Sequence, residues 1–177
     1  GEFMRHIISI LLQNEAGALA RVSNMFSSRG YNIESLNVAP TNDPIVSRVT
    51  LVTSGSEDII EQIIKQLSKL IDVVNIINMT DGEYIERELA MIKLVSKHHN
   101  EENLLKLVSD HKESIGMLLD IEIIDNSDDY LTFQIGGSSE DIDKIINLFS
   151  KSTDVMSVIR SGSMAVAKGK PILFFSS

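Results

Sequence analysis

Asn14 and Gly17 form a polar corner between an apolar strand and a helix, and their chemistry suits a small carboxylate. An apolar run ends at Leu12, the polar residues 13–15 follow, and a helical pattern begins at Gly17. The first N–H groups of a helix have no partner inside it and lie at the positive end of its dipole. Gly17 lets a ligand approach the backbone, and the Asn14 amide offers a donor and an acceptor. The same pattern also fits an ordinary tight turn, in which Asn and Gly serve the backbone alone.

Asn32 is a second polar amide, placed just after Gly30, which is predicted to end the helix. It stands with Ile33 at the predicted start of the second strand, in the opposite edge region of the sheet from Asn14. Two copies of such a domain placed edge to edge would bring one copy's Asn32 near the other copy's Asn14. The sequence therefore predicts a small polar site at a dimer interface, although Asn32 alone is also a common turn residue.

The elements that would position these residues follow the order β-α-β-β-α-β twice, which is the split βαβ pattern. Apolar and alternating runs predict strands and a helical period predicts helices, with strands at 5–12, 31–39, 45–53, 73–78, 89–95, 117–124, 130–135 and 155–160 and helices at 17–29, after Ser56, at 101–109 and at 141–149. The predicted fold class is α+β, with two tandem ferredoxin-like domains whose antiparallel sheets carry helices on one face. The first helix is expected to bury Leu19, Val22 and Phe26, and the helix capped by Ser56 a stripe that runs to Ile71.

A trace of internal repetition supports two similar halves. Ser56-Glu57-Asp58-Ile59 recurs as Ser139-Glu140-Asp141-Ile142, an offset of 83 residues, and Ser68-Lys69 recurs as Ser150-Lys151, an offset of 82. We assign residues 4–80 to the first domain, 81–87 to a linker and 88–177 to the second domain. Residues 1–3, which precede Met4, are typical of a cloning remnant.

Composition excludes several classes of protein. The chain has 177 residues, a net charge of −9 and no cysteine, so disulfides, zinc–thiolate sites and a Cys nucleophile are absent. It has no basic stripe for nucleic acid, no apolar run of membrane length and no secretory signal, and we expect a cytoplasmic protein. The histidines lack metal-ligand spacing, and no nucleophile with a base or phosphate-binding motif is present. The sequence predicts a protein that is not an enzyme and binds no metal or cofactor itself.

Long blocks of this sequence resemble the regulatory (small) subunit of acetolactate synthase, also called acetohydroxyacid synthase. The blocks are NEAGALARV at 14–22, FSSRGYNIESLNVAPTNDP at 26–44, Ser47-Arg48, Gln66-Leu67, Lys69-Leu70, Asp72-Val73, EREL at 86–89 with Ile92-Lys93, and Arg160-Ser161-Gly162. In that family the first half is an ACT domain, an amino-acid-sensing ferredoxin-like module. The resemblance covers nearly the whole chain, but between Ser96 and Asp154 it is one of pattern and not of motif.

The resemblance implies a homodimer, joined through its ACT domains, that activates a separate catalytic subunit. That partner would carry thiamine diphosphate, FAD and magnesium and convert two pyruvates into 2-acetolactate and CO2. The small subunit would confer feedback inhibition by valine, leucine or isoleucine. By motif, Asn14, Gly17 and Ala18 would hold the effector's α-carboxylate and ammonium, and the neighbouring chain would contribute Asn32 and Ile33.

Two alternatives remain open. The chain could be a stand-alone ACT-type amino-acid sensor without a synthase partner. The apolar tail Pro171-Ile172-Leu173-Phe174-Phe175 could be a packed strand or a contact with the catalytic subunit.

Overall fold

The computed structural model of the chain describes residues 3–97, 100–111 and 120–170. These residues form two compact units, 3–85 with 163–170 and 86–162. The apolar tail at 171–175, the histidines at 98 and 99 and the first three residues of the strand predicted at 117–124 lie outside the described residues. Both units contain an antiparallel sheet with helices, so the predicted fold class is confirmed.

The first unit has a four-stranded sheet in the order β2-β3-β1-β4. Its strands are β1 (Met4–Gln13), β2 (Ser35–Pro40), β3 (Val46–Gly55) and β4 (Val73–Asn78), and its helices are α1 (Ala18–Ser28) and α2 (Glu57–Ser68). The helices bury one face of the sheet through a cluster of apolar side chains, which includes Ile8, Ile10, Val22, Phe26, Ile60, Ile63 and Leu67. Burial of this cluster drives the packing of the helices on the sheet.

The other face of the first sheet is its outer face, and it carries a smaller apolar cluster. Ile7 and Val52 pack there with Met79 and with Ala165 of β9 (Met164–Ala167). A single 3-10 turn at Met79–Asp81 follows β4. Because side chains are buried on both faces, β1 has a nearly continuous apolar run at Ile7–Leu12, interrupted by Ser9, and does not alternate.

The second unit repeats the arrangement with the strand order β6-β7-β5-β8. Its elements are β5 (Tyr84–Val95), α3 (Glu101–Asp110), β6 (Asp120–Ser127), β7 (Tyr130–Gly137), α4 (Ser139–Ser152) and β8 (Val155–Arg160). Along β5, Ala90, Ile92 and Leu94 are buried, whereas Leu89 and Met91 are exposed. This alternation is typical of a sheet with helices on one face.

The two halves share an irregularity at equivalent positions. The β1–β4 register shifts between Leu11 and Leu12, and the β5–β8 register shifts between Lys93 and Leu94, 82 residues later. The same offset relates the buried pair His6–Asn78 to the pair Glu88–Arg160. The halves therefore repeat a backbone, with a His–Asn hydrogen bond at one position and an Arg–Glu ion pair at the other.

Two predicted details of α1 and α2 are wrong. Leu19 is 38% exposed because α1 turns Ala18, Val22, Met25 and Phe26 toward the sheet. Ile71 is 87% exposed because α2 already ends at Ser68. In the second unit, α4 begins at Ser139, and Ser138 occupies its N-cap position.

The second strand also begins later than predicted, at Ser35 and not at Tyr31. Gly30 has a φ of 70°, and the N–H of Tyr31 turns back to donate to the Phe26 carbonyl at 2.9 Å. The Tyr31 ring then packs against the Phe26 ring, with centroids 6.4 Å apart. Tyr31 is thereby drawn toward α1, and the regular pairing of β2 with β3 begins only at Ser35.

The division into units differs from the predicted domains in two places. The predicted linker 81–87 contains the start of β5 at Tyr84. The predicted second domain, 88–177, does not continue past Gly162 as one compact unit, because 163–170 group with the first unit. The chain thus returns to its first unit after completing the second.

Candidate functional site

The side chain of Asn14 is fixed to the start of β3. Its Nδ2 donates to the Pro44 carbonyl at 2.8 Å, and its Oδ1 accepts a hydrogen bond from the Ser47 hydroxyl. The backbone N–H of Asn14 donates to the Ile45 carbonyl at 2.9 Å. Together, the two side-chain bonds leave one amide hydrogen and one oxygen lone pair of Asn14 for a ligand. The amide is therefore held in one orientation while it remains exposed.

Gly17 occupies the N-cap position of α1 in a left-handed conformation, with φ 80° and ψ 0°. Among the described residues, no side chain caps this helix. The N–H of Ala18, one of the predicted carboxylate donors, already donates to the Glu15 carbonyl at 3.1 Å. A carboxylate at this corner would therefore meet the N–H of Gly17 and the first turn of α1. It could accept from the N–H of Ala18 only if the hydrogen bond between Ala18 and the Glu15 carbonyl were broken.

Arg21 and Asp72 form an ion pair beside the corner that the sequence reasoning missed. Arg21 Nε donates to Asp72 Oδ2 at 2.5 Å and Arg21 Nη2 donates to Oδ1 at 3.0 Å, and Nη2 also reaches the Ala16 carbonyl at 3.3 Å. The pair links α1 to the residue that precedes β4, and the bond to Ala16 attaches Arg21 to the corner. Both residues lie in blocks that carry the family resemblance, and that was the signal available in the sequence.

The hydrogen bond within this pair shifts the pKa of each residue in the direction that favours its charged form. It lowers the pKa of Asp72 from its ordinary value of 3.8, and the charge of Arg21 adds to the effect. The same bond raises the pKa of Arg21, together with the charges of Asp72 and Glu15. The pair is therefore charged at neutral pH.

Asn32 and Ile33 lie in the irregular segment before β2. The Asn32 residue is exposed, while its backbone carbonyl accepts a hydrogen bond from Thr53 Oγ1 at 2.6 Å. Ile33 is partly buried and packs against the main apolar cluster of the first unit. The segment is thus anchored to β3 by its backbone and leaves an amide at the surface.

Within one chain, the structure does not bring the two groups of predicted site residues together. Asn14 binds Ser47 and Asn32 binds Thr53, and these two partners stand six residues apart on the same strand, β3. At about 3.4 Å per residue, that separation is about 20 Å. A single amino acid is far too short to reach both ends of β3.

Neither a metal-binding cluster nor a membrane-spanning helix is found among the described residues. No group of three or more His, Cys, Asp or Glu side chains there is arranged to hold a metal ion. Among the helices described, none is long and apolar enough to span a membrane.

The element order and the sheet define the first unit as a ferredoxin-like domain. A sequence profile described as "AHAS small subunit-like ACT domain" matches residues 8–75, and one described as "Small subunit of acetolactate synthase" matches residues 87–169. The chain therefore belongs to the acetolactate synthase small-subunit family, as its resemblance to that family predicts.

Individual relatives extend the match over nearly the whole chain. The acetolactate synthase small subunit of Haemophilus influenzae is 39% identical over 170 residues, which cover 94% of this chain and 98% of that protein. The isozyme 3 small subunit of Escherichia coli is 38% identical, with 96% and 99% covered. The crystal structure of the Thermotoga maritima small subunit superposes with a TM-score of 0.77 at 29% identity and covers 94% of this chain and 99% of that one.

Proposed function

We propose that this chain is the regulatory subunit of acetolactate synthase, which activates the catalytic subunit and makes it sensitive to a branched-chain amino acid. The observation that carries the proposal is the family match across both units, from the corner at Asn14 to Arg160-Ser161-Gly162. In this proposal the chain is not catalytic. The partner binds thiamine diphosphate, FAD and magnesium and joins two pyruvates into 2-acetolactate with release of CO2, in the cytoplasm.

The effector site in this proposal is shared between two chains. The corner of one chain supplies Asn14 and Gly17, and the neighbouring chain supplies Asn32 and Ile33. The separation of about 20 Å along β3 supports this arrangement, because one chain alone cannot surround a small ligand with both groups. A homodimer joined through its ACT domains would form two such sites.

The groups at the corner suit the two ends of an amino acid. The N–H of Gly17 and the first turn of α1 attract the α-carboxylate, and the remaining lone pair of Asn14 Oδ1 accepts from the ammonium. Ile33 of the other chain would contact a branched side chain, which favours valine, leucine or isoleucine. Inhibition then requires only that the effector bind the less active state of the complex more tightly than the more active state.

Acetolactate formation by the cognate catalytic subunit tests the proposal directly. We expect this chain to stimulate the reaction and added valine to reverse the stimulation. Stimulation without inhibition by valine, leucine or isoleucine would leave the subunit role intact and contradict the effector site. Substitution of Asn14 by Ala should weaken inhibition but keep activation, whereas Asn24→Ala, on the exposed part of α1, should change neither.

The alternative function is a stand-alone amino-acid sensor. It uses the same corner and the same dimer but has no synthase partner. In the assay above it would bind valine, as measured by calorimetry, and leave acetolactate formation unchanged.

A further inference from the structure

The guanidinium group of Arg21 keeps two N–H donors that the chain itself does not use. The ion pair with Asp72 engages Nε and Nη2, and Nη2 also donates to the Ala16 carbonyl. Among the described residues, Nη1 has no hydrogen-bond partner, so both of its hydrogens remain available. The side chain of Arg21 is 45% exposed, whereas that of Asp72 is 5% exposed. The carboxylate of the pair is thus buried, while its guanidinium group reaches the solvent.

Nη1 of Arg21 lies against Gly17, at the corner itself. A Cβ placed on Gly17 would be 3.1 Å from Nη1 and 3.8 Å from the guanidinium carbon. A Cβ is only two bonds from the backbone nitrogen of its own residue, so Nη1 is also close to the N–H of Gly17. That N–H donates to no acceptor in the part of the chain that the structure describes. Unused donors of both residues therefore lie side by side at the start of α1.

A carboxylate is the group that these donors fit best. Its two oxygens can accept from the N–H of Gly17 and from Nη1 of Arg21 at the same time. Hydrogen bonds from a guanidinium group to a carboxylate are charge-assisted and stronger than those to a neutral carbonyl. The positive end of the α1 dipole favours an anion at the same place. A neutral amide offers one acceptor and no charge, and would be bound more weakly.

Asp72 holds Arg21 in place for such a contact. The two bonds from Nε and Nη2 fix the plane of the guanidinium group, and the buried carboxylate anchors it. Because the charge of Asp72 offsets that of Arg21, Arg21 acts through positioned donors more than through long-range attraction. The charge of Glu15 also acts on Arg21 and helps to raise its pKa. No ion pair between Glu15 and Arg21 is found among the described residues, so Nη1 stays available.

We propose that Arg21 binds the α-carboxylate of the effector through Nη1, together with the N–H of Gly17, and that Asp72 positions Arg21 for this contact. This inference rests on the proposed function, because it concerns the effector site of that function. It gives the carboxylate a second donor in place of Ala18, whose N–H already donates to the Glu15 carbonyl. It also makes a free α-carboxylate a requirement for recognition, so the site selects an amino acid over its amide.

The test compares the binding of valine and of valinamide, which has no carboxylate, to the full-length chain by calorimetry. Arg21→Met removes the donors, and Arg21→Lys keeps the charge but loses the fork that can bind two carboxylates. A double variant, Arg21→Met with Asp72→Asn, leaves no unpaired carboxylate at the buried position. Lys106→Met, at an exposed position of α3, removes the same charge and is the matched control. Circular dichroism melts of each variant report whether the fold is kept.

We expect Arg21→Met to weaken the binding of valine at least tenfold, which is about 1.4 kcal/mol, and to leave the binding of valinamide nearly unchanged. The preference of the wild type for valine over valinamide should shrink by the same factor. Arg21→Lys should fall between Arg21→Met and the wild type, and Lys106→Met should match the wild type. If Arg21→Met melts far below the wild type, the same loss of preference in the double variant or in Arg21→Lys still supports the proposal.

Two results would overturn the inference and leave the proposed function in place. Equal weakening of valine and valinamide by Arg21→Met would mean that Arg21 acts only through the fold, and unchanged binding of valine would mean that it makes no contact. If the wild-type chain bound neither valine, leucine nor isoleucine, the proposed effector site and this inference would be wrong together. Binding without stimulation of acetolactate formation would contradict the synthase role and not the contact of Arg21.

Discussion

At the scale of residues, the corner at Asn14 is held by bonds that the chain makes to itself. The ion pair between Arg21 and Asp72 ties α1 to β4, and the amide bonds of Asn14 tie the corner to β3. A site built in this way is in place before a ligand arrives, which limits the ordering that binding would otherwise require.

The depressed pKa of Asp72 predicts a specific loss of stability in acid. A carboxylate whose pKa is lower in the folded than in the unfolded state contributes stability above its unfolded value, and that contribution disappears as the pH falls through its folded value. Between about pH 7 and about pH 2, the melting temperature of the wild type should therefore fall more steeply than that of Asp72→Asn. Melts recorded across this range measure the difference, with Asp58→Asn at an exposed position as the control. Parallel curves for wild type and Asp72→Asn would contradict the expectation.

Gly17 should tolerate no side chain without cost. Its φ of 80° is unfavourable for an L-residue, and a Cβ there would lie 3.1 Å from Arg21 Nη1. We expect Gly17→Ala to lower the free energy of unfolding by about 1 kcal/mol and to weaken effector inhibition. Gly82→Ala is the control, since Gly82 has a φ of −133° and open space around its Cβ position. Urea denaturation measures the free energy of unfolding of both variants, and equal stabilities of Gly17→Ala and Gly82→Ala would refute the prediction.

At the scale of elements, the two halves differ in how their second helices begin. Ser138 accepts a hydrogen bond from the N–H of Asp141 at 3.1 Å, which is a side-chain cap. Ser56 holds the equivalent position before α2 and makes no such bond. Ser138→Ala should therefore cost about 1 kcal/mol of stability, and Ser56→Ala clearly less. Urea denaturation of both variants is the measurement, and equal losses would show that the caps contribute alike.

Most elements could be predicted from the sequence because the patterns that define them are local. The helical period of α4 and the apolar strands β1 and β4 each fix their element without reference to the rest of the chain. The start of β2 could not be found in this way, because the turn of Tyr31 back onto Phe26 is a tertiary contact. The strand β9 was missed for the same reason, since the four residues 164–167 pair with β5, far away in the sequence.

At the scale of the whole molecule, the candidate site raises the question of which chain supplies which residue. The corner residues could be predicted from motif and helix chemistry alone. The bonds that orient them could not, because Pro44, Ser47 and Asp72 are distant in sequence from Asn14 and Arg21. The assignment of Asn32 to a neighbouring chain rests on the resemblance and on the separation along β3.

Mixed dimers test the shared site. Asn14→Ala and Asn32→Ala should each weaken inhibition by the effector. A dimer with one chain of each variant would contain one site with both asparagines intact, so co-expression of the two variants should partly restore inhibition. Acetolactate formation across a valine titration measures this recovery. Inhibition no stronger than the average of the two single variants would mean that each chain builds its own site.

The return of residues 163–170 to the first unit has a consequence for synthesis on the ribosome. The first sheet and its helices are complete by residue 78, but Ala165, which covers Ile7 and Val52, is made only after all of 86–162. The nascent first unit must therefore wait, with that apolar cluster uncovered, until a second unit of comparable size has emerged. The time needed to synthesise residues 86–162 therefore determines how long Ile7 and Val52 stay without the contact to Ala165.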